Sequence, residues 1–152
     1  MAKNKVEEFI ENQGLGIVVK EMPQTCRSAA EAAASIGCTV AQIGKSIIFK
    51  DKAQDQAVLV ITSGVNTVDA KKLANQNNLQ LEKADADFVR DKTGYVIGGV
   101  PPFAHANPVR TFMDESLFQF AEIWVAAGHP YKVMRMTPQE LHKITGAQLI
   151  AV

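Results

Sequence analysis

The chain has only two cysteines, Cys26 and Cys38, among its 152 residues. Two thiols cannot build a disulfide framework, so the fold must be held by a hydrophobic core. These cysteines and the three histidines, His105, His129 and His142, show no CxxC or HxxxH spacing, so no metal site is expected. No run approaches ~20 apolar residues, which excludes a membrane-spanning helix. The start, Met1-Ala-Lys-Asn-Lys-Val-Glu-Glu-Phe9, lacks the apolar centre of a signal peptide. The expectation is a cytoplasmic protein that does not engage membranes. Charge of one sign is also lacking, because 16 basic and 16 acidic side chains cancel. That balance excludes a polybasic binder and leaves room for one local cationic patch. There is no Walker A loop and no GxGxxG. With seven Phe, two Tyr and one Trp, no RNA-binding aromatic signature appears.

What is present suits one domain spanning residues 1–152, with 47% hydrophobic residues. A chain of this size hides about 70% of its unfolded surface. Apolar residues at helical spacing predict a helix over 3–13, ended by Gly14. Three segments have capping-box spacing, Ser28 to Glu31, Thr39 to Gln42 and Thr137 to Glu140, the last with Pro138 at the first helical position. Further helices are predicted over 69–76 and 85–92. The β-branched runs 43–50 and 57–62 flank a polar turn and predict a hairpin. Shorter strands are predicted at 17–21, 79–82, 109–114, 122–127, 132–136 and 148–152. Strands and helices interleave without strict alternation. The expected fold is α+β, a curled, barrel-like, mixed but mostly antiparallel sheet surrounded by short helices.

Three places carry candidate chemistry. Along the run 43–49, Ile43, Lys45, Ile47 and Phe49 share one face of a strand. A lysine on the more apolar face either meets an anion in a pocket or lays its stem along apolar surface with its head in water. The segment 94–103 contains Gly98, Gly99, Val100, Pro101 and Pro102. Paired glycines let a backbone approach a ligand and prolines stiffen the loop, though the same residues make ordinary turns. His129, in Gly128-His129-Pro130, follows a predicted strand and can donate to a ligand oxygen or act as a base near neutral pH. His105 and His142 read as surface residues. Cys26, ahead of the Ser28 cap, is a candidate nucleophile, alone or paired with His129.

The ordered pieces Ser28-Ala-Ala-Glu-Ala-Ala33, Gln42-Ile-Gly-Lys45-Ser-Ile-Ile-Phe49, Val68-Asp-Ala-Lys-Lys-Leu73, Thr93-Gly-Tyr-Val-Ile-Gly-Gly-Val-Pro-Pro-Phe103, Met113-Asp-Glu-Ser-Leu117 and Trp124-Val-Ala-Ala-Gly-His-Pro130 resemble the YbaK/prolyl-tRNA-synthetase-associated editing-domain family. The resemblance runs from about Thr25 to Val152. It implies an aminoacyl-tRNA hydrolase that cleaves the ester of mischarged tRNA in trans, chiefly a tRNA for proline carrying a small non-cognate amino acid. It implies that Lys45 lies by the terminal adenosine and the ester, that Gly98, Gly99, Val100, Pro101 and Pro102 hold the aminoacyl group, and that His129 joins Lys45 as a catalytic residue. No cofactor is implied. The implied partners are the acceptor end of tRNA and an aminoacyl-tRNA synthetase. The family's cysteinyl-specific branch carries a lysine-containing turn where this chain has Gly128-His129-Pro130, a departure that counts against cysteine as the residue removed. Two other readings stand beside the deacylase: a non-catalytic nucleotide- or tRNA-binding regulatory module of the same fold, and a thiol hydrolase built on Cys26. Lysines 45, 50 and 52, lysines 71 and 72, and Lys132, Arg135 and Lys143 are the stretches from which a local basic patch could form.

Overall fold

Side-chain caps set the helices where the spacing predicts them, in a computed structural model that describes residues 4–152. Residue 3, the first of the predicted opening helix, lies outside the described residues. Helix α1 (Lys5–Asn12) starts at Asn4, whose side chain accepts from the Glu7 N–H at 3.0 Å. Helix α2 (Ala29–Ile36) begins with the Ser28/Glu31 capping box and stops at Gly37. Asp69 caps α3 (Ala70–Asn77) and Asp85 caps α4 (Ala86–Thr93). Thr137 and Glu140 form the box that opens α5 (Pro138–Thr145), with proline where its missing N–H costs nothing. Single 3₁₀ turns occupy Val40–Gln42 and Glu115–Gln119.

The strands are β1 (Val19–Glu21), β2 (Ile43–Asp51), β3 (Gln56–Ser63), β4 (Leu81–Lys83), β5 (Arg110–Asp114), β6 (Ile123–Ala126), β7 (Lys132–Met136) and β8 (Gln148–Ile150). They form one eight-stranded sheet in the order β1-β7-β6-β2-β3-β5-β8, with β4 added on β2. Four pairings are antiparallel: β1 with β7, β7 with β6, β2 with β3 and β2 with β4. Three are parallel: β2 with β6, β3 with β5 and β5 with β8. The sheet is thus mixed and mostly antiparallel, as expected. It is not closed, because β1 and β8 stand at opposite ends and do not pair.

Strand β3 is apolar on both faces because both faces are covered. Leu59 and Ile61 point into the main core with Met113, Leu117, Ile123 and Met134. Val58 and Val60 point the other way and pack with Phe112 and Leu73 of α3. On that second face, Ile43 and Val133 form a separate cluster with Ala32 and Ala33 of α2. The register puts Lys45 opposite Thr62, between Ile43 of one cluster and Phe49 of the other. Helices therefore cover this face on either side of Lys45.

Strand β2 pairs with β3 from Gly44 to Asp51. On its other edge it pairs with β6 only at Ile43 and Gly44, and with β4 only from Phe49 to Asp51. Among the described residues no strand pairs with residues 45–48 on that edge.

The end of β3 is fixed by Asp114, which is 1% exposed. Its carboxylate accepts from Thr62 Oγ1 and the Ser63 N–H at 3.0 Å, Asn66 Nδ2 at 2.9 Å and the Ser116 N–H at 2.9 Å. Burial alone would raise its pKa, but the bonds from Asn66, Ser63 and Ser116 outweigh burial and hold it below the usual carboxylate value. An Asp114→Ala variant strands several buried donors and is expected to lose about 2–4 kcal/mol of stability in urea unfolding. An unchanged midpoint would refute the role given to this carboxylate.

Candidate functional site

The unpaired edge at residues 45–48 opens onto a groove with two compartments. The first, of about 470 Å³, is lined by Ile43, Lys45, Trp124 and Ala126 from the sheet and by Cys26, Arg27 and Ala29 at the start of α2. The second, of about 620 Å³, runs on past Ile48 and Phe49 to Leu81, Ala84 and Val89. Ser46, Ile47, Ile97, Gly98 and Val100 line both and so form the saddle between them. Ser46 Oγ is buried in this saddle and makes no hydrogen bond among the described residues.

Lys45 is half-buried and forms no ion pair among the described residues. Lys45 lines the first compartment, and its half-exposed position is compatible with both readings open from the sequence.

The loop that crosses the groove is bolted from behind. Helix α4 stops at Gly94 in the left-handed region, and Thr93 Oγ1 accepts from the Tyr95 N–H at 3.1 Å. Tyr95 donates its hydroxyl to the Ala104 carbonyl at 2.7 Å. His105 Nε2 lies 2.7 Å from the Pro101 carbonyl, which only accepts, so that nitrogen carries the proton. Phe103 stacks on Phe9 of α1 at 5.0 Å. His105, read from the sequence as a surface residue, is therefore a brace for the loop. Burial holds its pKa below the ordinary histidine value, against the Pro101 bond, which raises it.

Two glycines in the loop are required by close approach. Gly98 has φ +93°, and a Cβ there would sit 2.8 Å from Arg27 Cγ. At Gly99 a Cβ would sit 2.9 Å from the backbone of His129. The Gly99 N–H donates to the Val96 carbonyl at 3.0 Å, and Pro101 and Pro102 have no N–H. Along the loop the N–H groups of Val96, Ile97, Gly98, Val100 and Phe103 have no partner among the described residues, and Ile97, Gly98 and Val100 line the groove.

The structure brings Lys45, Gly98 and Val100 to one groove, with Pro101 and Pro102 buried behind it. His129 meets the loop through its backbone at Gly99, and its ring is not among the groove-lining groups. The imidazole stacks on Tyr131 at 5.6 Å, and its Nδ1 accepts from the Tyr131 N–H at 3.2 Å, which places the proton of the neutral ring on Nε2. The turn is held from the far side by α1: Asn4 Nδ2 donates to the Ala127 carbonyl at 2.8 Å, and Glu7 pairs with Lys132.

Cys26 lines the groove, but burial raises its pKa, so the thiol is favoured over the nucleophilic thiolate. No hydrogen bond joins it to His129 among the described residues; its own N–H is taken by the Pro130 carbonyl at 2.6 Å. The basic stretches do not merge into one patch. Lys132 is 4% exposed and paired with Glu7, Arg135 lies 2.7 Å from Glu122, and Lys50 stands between Asp55 and Glu82 at 3.8 and 3.9 Å. Arg27, Ser46 and Trp124 are groove residues that sequence reasoning did not single out. Arg27 directly precedes a helix cap and Trp124 is the chain's one tryptophan, but their meeting with Gly98 and Lys45 is purely tertiary. Among the described residues no helix is long and apolar enough to cross a membrane.

Known proteins share this fold. The profile of the aminoacyl-tRNA editing domain matches residues 23–144. YwhH of Bacillus subtilis, a protein without an assigned role, is 29% identical over 127 residues, covering 84% of this chain and 80% of its own. EbsC of Enterococcus faecalis, a candidate Cys-tRNA(Pro)/Cys-tRNA(Cys) deacylase, is 27% identical over 126 residues, covering 82% of this chain and 76% of its own. The crystal structure of a candidate trans-editing enzyme for prolyl-tRNA synthetase superposes with a TM-score of 0.89 at 36% identity, covering 99% of this chain and 98% of that one.

The His105 brace has a pH signature. A histidine whose folded pKa is depressed binds its proton more readily when unfolded. Its contribution to stability is full above the unfolded value of about 6.5 and is lost as pH falls towards the folded value. Urea midpoints should therefore drop between pH 7.5 and 5.5, and the drop should be smaller in His105→Gln, whose amide still donates. Equal drops in both proteins would refute the brace.

Proposed function

This chain belongs to the aminoacyl-tRNA editing domain family, and from that membership we propose that it is a trans-editing deacylase that hydrolyses the ester of mischarged tRNA. The substrate we favour is a tRNA for proline carrying a small non-cognate amino acid, with a synthetase as a further partner. The observation that carries the proposal is the meeting, in one groove, of Lys45 and the Gly98 and Val100 N–H groups, which have no counter-ion or acceptor among the described residues.

An aminoacyl ester is already reactive, so orientation and charge stabilisation supply the main acceleration. In the proposed mechanism the terminal adenosine enters the compartment beside Lys45, whose ammonium holds its phosphate or ribose oxygens. The aminoacyl carbonyl lies at the saddle, where the Gly98 and Val100 N–H groups face the oxygen that becomes negative as water adds. The Ser46 hydroxyl offers a further polar contact at the same place. The carbon–oxygen bond to the ribose then breaks, and the ribose oxygen leaves as a hydroxyl. The vicinal ribose hydroxyl can relay the proton, so no protein carboxylate is needed. His129, whose ring is outside the groove lining, contributes through the backbone of the turn that sets Gly99. The second compartment, walled in part by Ile48, Ala84 and Val89, receives the amino-acid side chain.

Size selection is what such a site must add. A synthetase pocket separates substrates differing by one methylene by only about 1–3 kcal/mol. A second, smaller site removes what the first admits in error.

The test is deacylation of tRNA for proline charged with alanine, serine, cysteine, threonine, 2-aminobutyrate or proline. One or more small non-cognate residues should be released while prolyl-tRNA is spared. Lys45→Ala should slow that release by about 100-fold or more. Decay of every ester, on this and other tRNAs, at the buffer rate would overturn the deacylase reading in favour of a nucleotide-binding module.

A further inference from the structure

Trp124 forms the ridge between the Lys45 compartment and a second hollow of about 310 Å³ lined by Lys20, Met22, Pro23 and Ile36. The sheet register explains this position. Ile43 pairs with Trp124, Trp124 with Arg135, and Lys20 with Val133, which in turn pairs with Ala126. Side chains of paired residues share a face, as do alternate residues along a strand. Lys45, Trp124, Arg135 and Lys20 therefore lie across four adjacent strands on one face. Strand geometry puts the Cα atoms of Lys45 and Trp124 about 8 Å apart, within the reach of neighbouring nucleotides.

Two cations border the indole, and the exposed Glu21 lines the same hollow. Lys20 Nζ stands 5.3 Å from the ring centroid and the Arg135 guanidinium 5.9 Å. Arg135 is neutralised by Glu122 at 2.7 Å. Lys20 is exposed and forms no ion pair among the described residues. Its flexible stem lets the ammonium leave the ring face for a phosphate and vacate that face for a base. Arg27, exposed on the opposite wall, adds a second cation at the mouth of the first compartment.

We propose that Trp124 and Lys20 form a stacking subsite for the nucleotide immediately 5′ of the one held at Lys45, with the base on the indole and the phosphate on the ammonium. This rests on the deacylase reading for the identity of the strand, the unpaired 3′ end of tRNA. The physics is that of single-strand binding, in which each base stacked on an aromatic ring strengthens binding about fivefold to a hundredfold and a nearby cation takes the backbone.

Two measurements separate this subsite from the catalytic reading. Trp124 is the chain's one tryptophan, so intrinsic fluorescence reports on this ring alone. Titration with the oligonucleotide ACCA, bearing no amino acid, should quench it saturably. Lys20→Ala should weaken that binding about tenfold and lower the slope of log affinity against log salt by about one. Absence of quenching in the wild type, or a Lys20→Ala affinity equal to wild type, would overturn the subsite. The second measurement is the ratio of kcat/KM on aminoacyl-tRNA to kcat/KM on the aminoacyl ester of adenosine alone. That ratio should fall about tenfold in Lys20→Ala and in Trp124→Leu and recover in Trp124→Phe. An equal loss on both substrates would overturn the proposal, because it would mark a structural role. If no ester is hydrolysed by the wild type, the deacylase reading fails and the oligonucleotide titration still decides the subsite.

Discussion

Strand β2 is bonded along most of its length to β3, but on its other edge only its two ends find partners. An interrupted edge leaves alternate backbone N–H and C=O groups without a ladder, and a protein must cover, solvate or use them. Here β6 and β4 flank the interruption, the loop of residues 98–102 stands opposite it, and the start of α2 closes one end. The groove is the space these elements leave. Lys45, the saddle at Ser46 and the two compartments all follow from where the second edge of β2 is broken.

That constraint explains why the loop is braced so heavily. A donor N–H is useful at a reacting carbonyl only if it is already in place, because reorganisation would consume the gain. Tyr95, His105, Phe103 and the His129 turn each fix a different part of the loop. The prolines remove N–H groups that would otherwise need partners, and Gly99 closes a turn on Val96. What remains at the groove is a short backbone stretch whose Ile97, Gly98 and Val100 N–H groups have no acceptor among the described residues.

Much of the fold was legible because its signals are local. The capping boxes at Ser28, Thr39 and Thr137 and the β-branched hairpin are written in spacings of a few residues, and each appears where spacing placed it. Sheet order and closure were not legible, because parallel pairings such as β3 with β5 join segments about 50 residues apart. The site divides in the same way. Lys45 stood out because a charge broke an apolar strand face, and the loop because glycines and prolines cluster there. Arg27 and Ser46 carry no such mark; only the tertiary contact of Gly98 with Arg27, and the broken edge of β2, gives them a place. His105 misled because its polar neighbourhood hid a backbone acceptor four residues away.

The division of the groove at its saddle separates two kinds of heritable change. The groups that would face the ester are main-chain atoms, held by residues behind the loop, and they persist whatever side chains line the far compartment. Ile48, Ala84 and Val89 can therefore be exchanged for larger or smaller apolar residues at the cost of local repacking alone. Under the proposed function, one chemistry is carried from substrate to substrate by drift in such wall positions, and chains with the same backbone need not share a specificity.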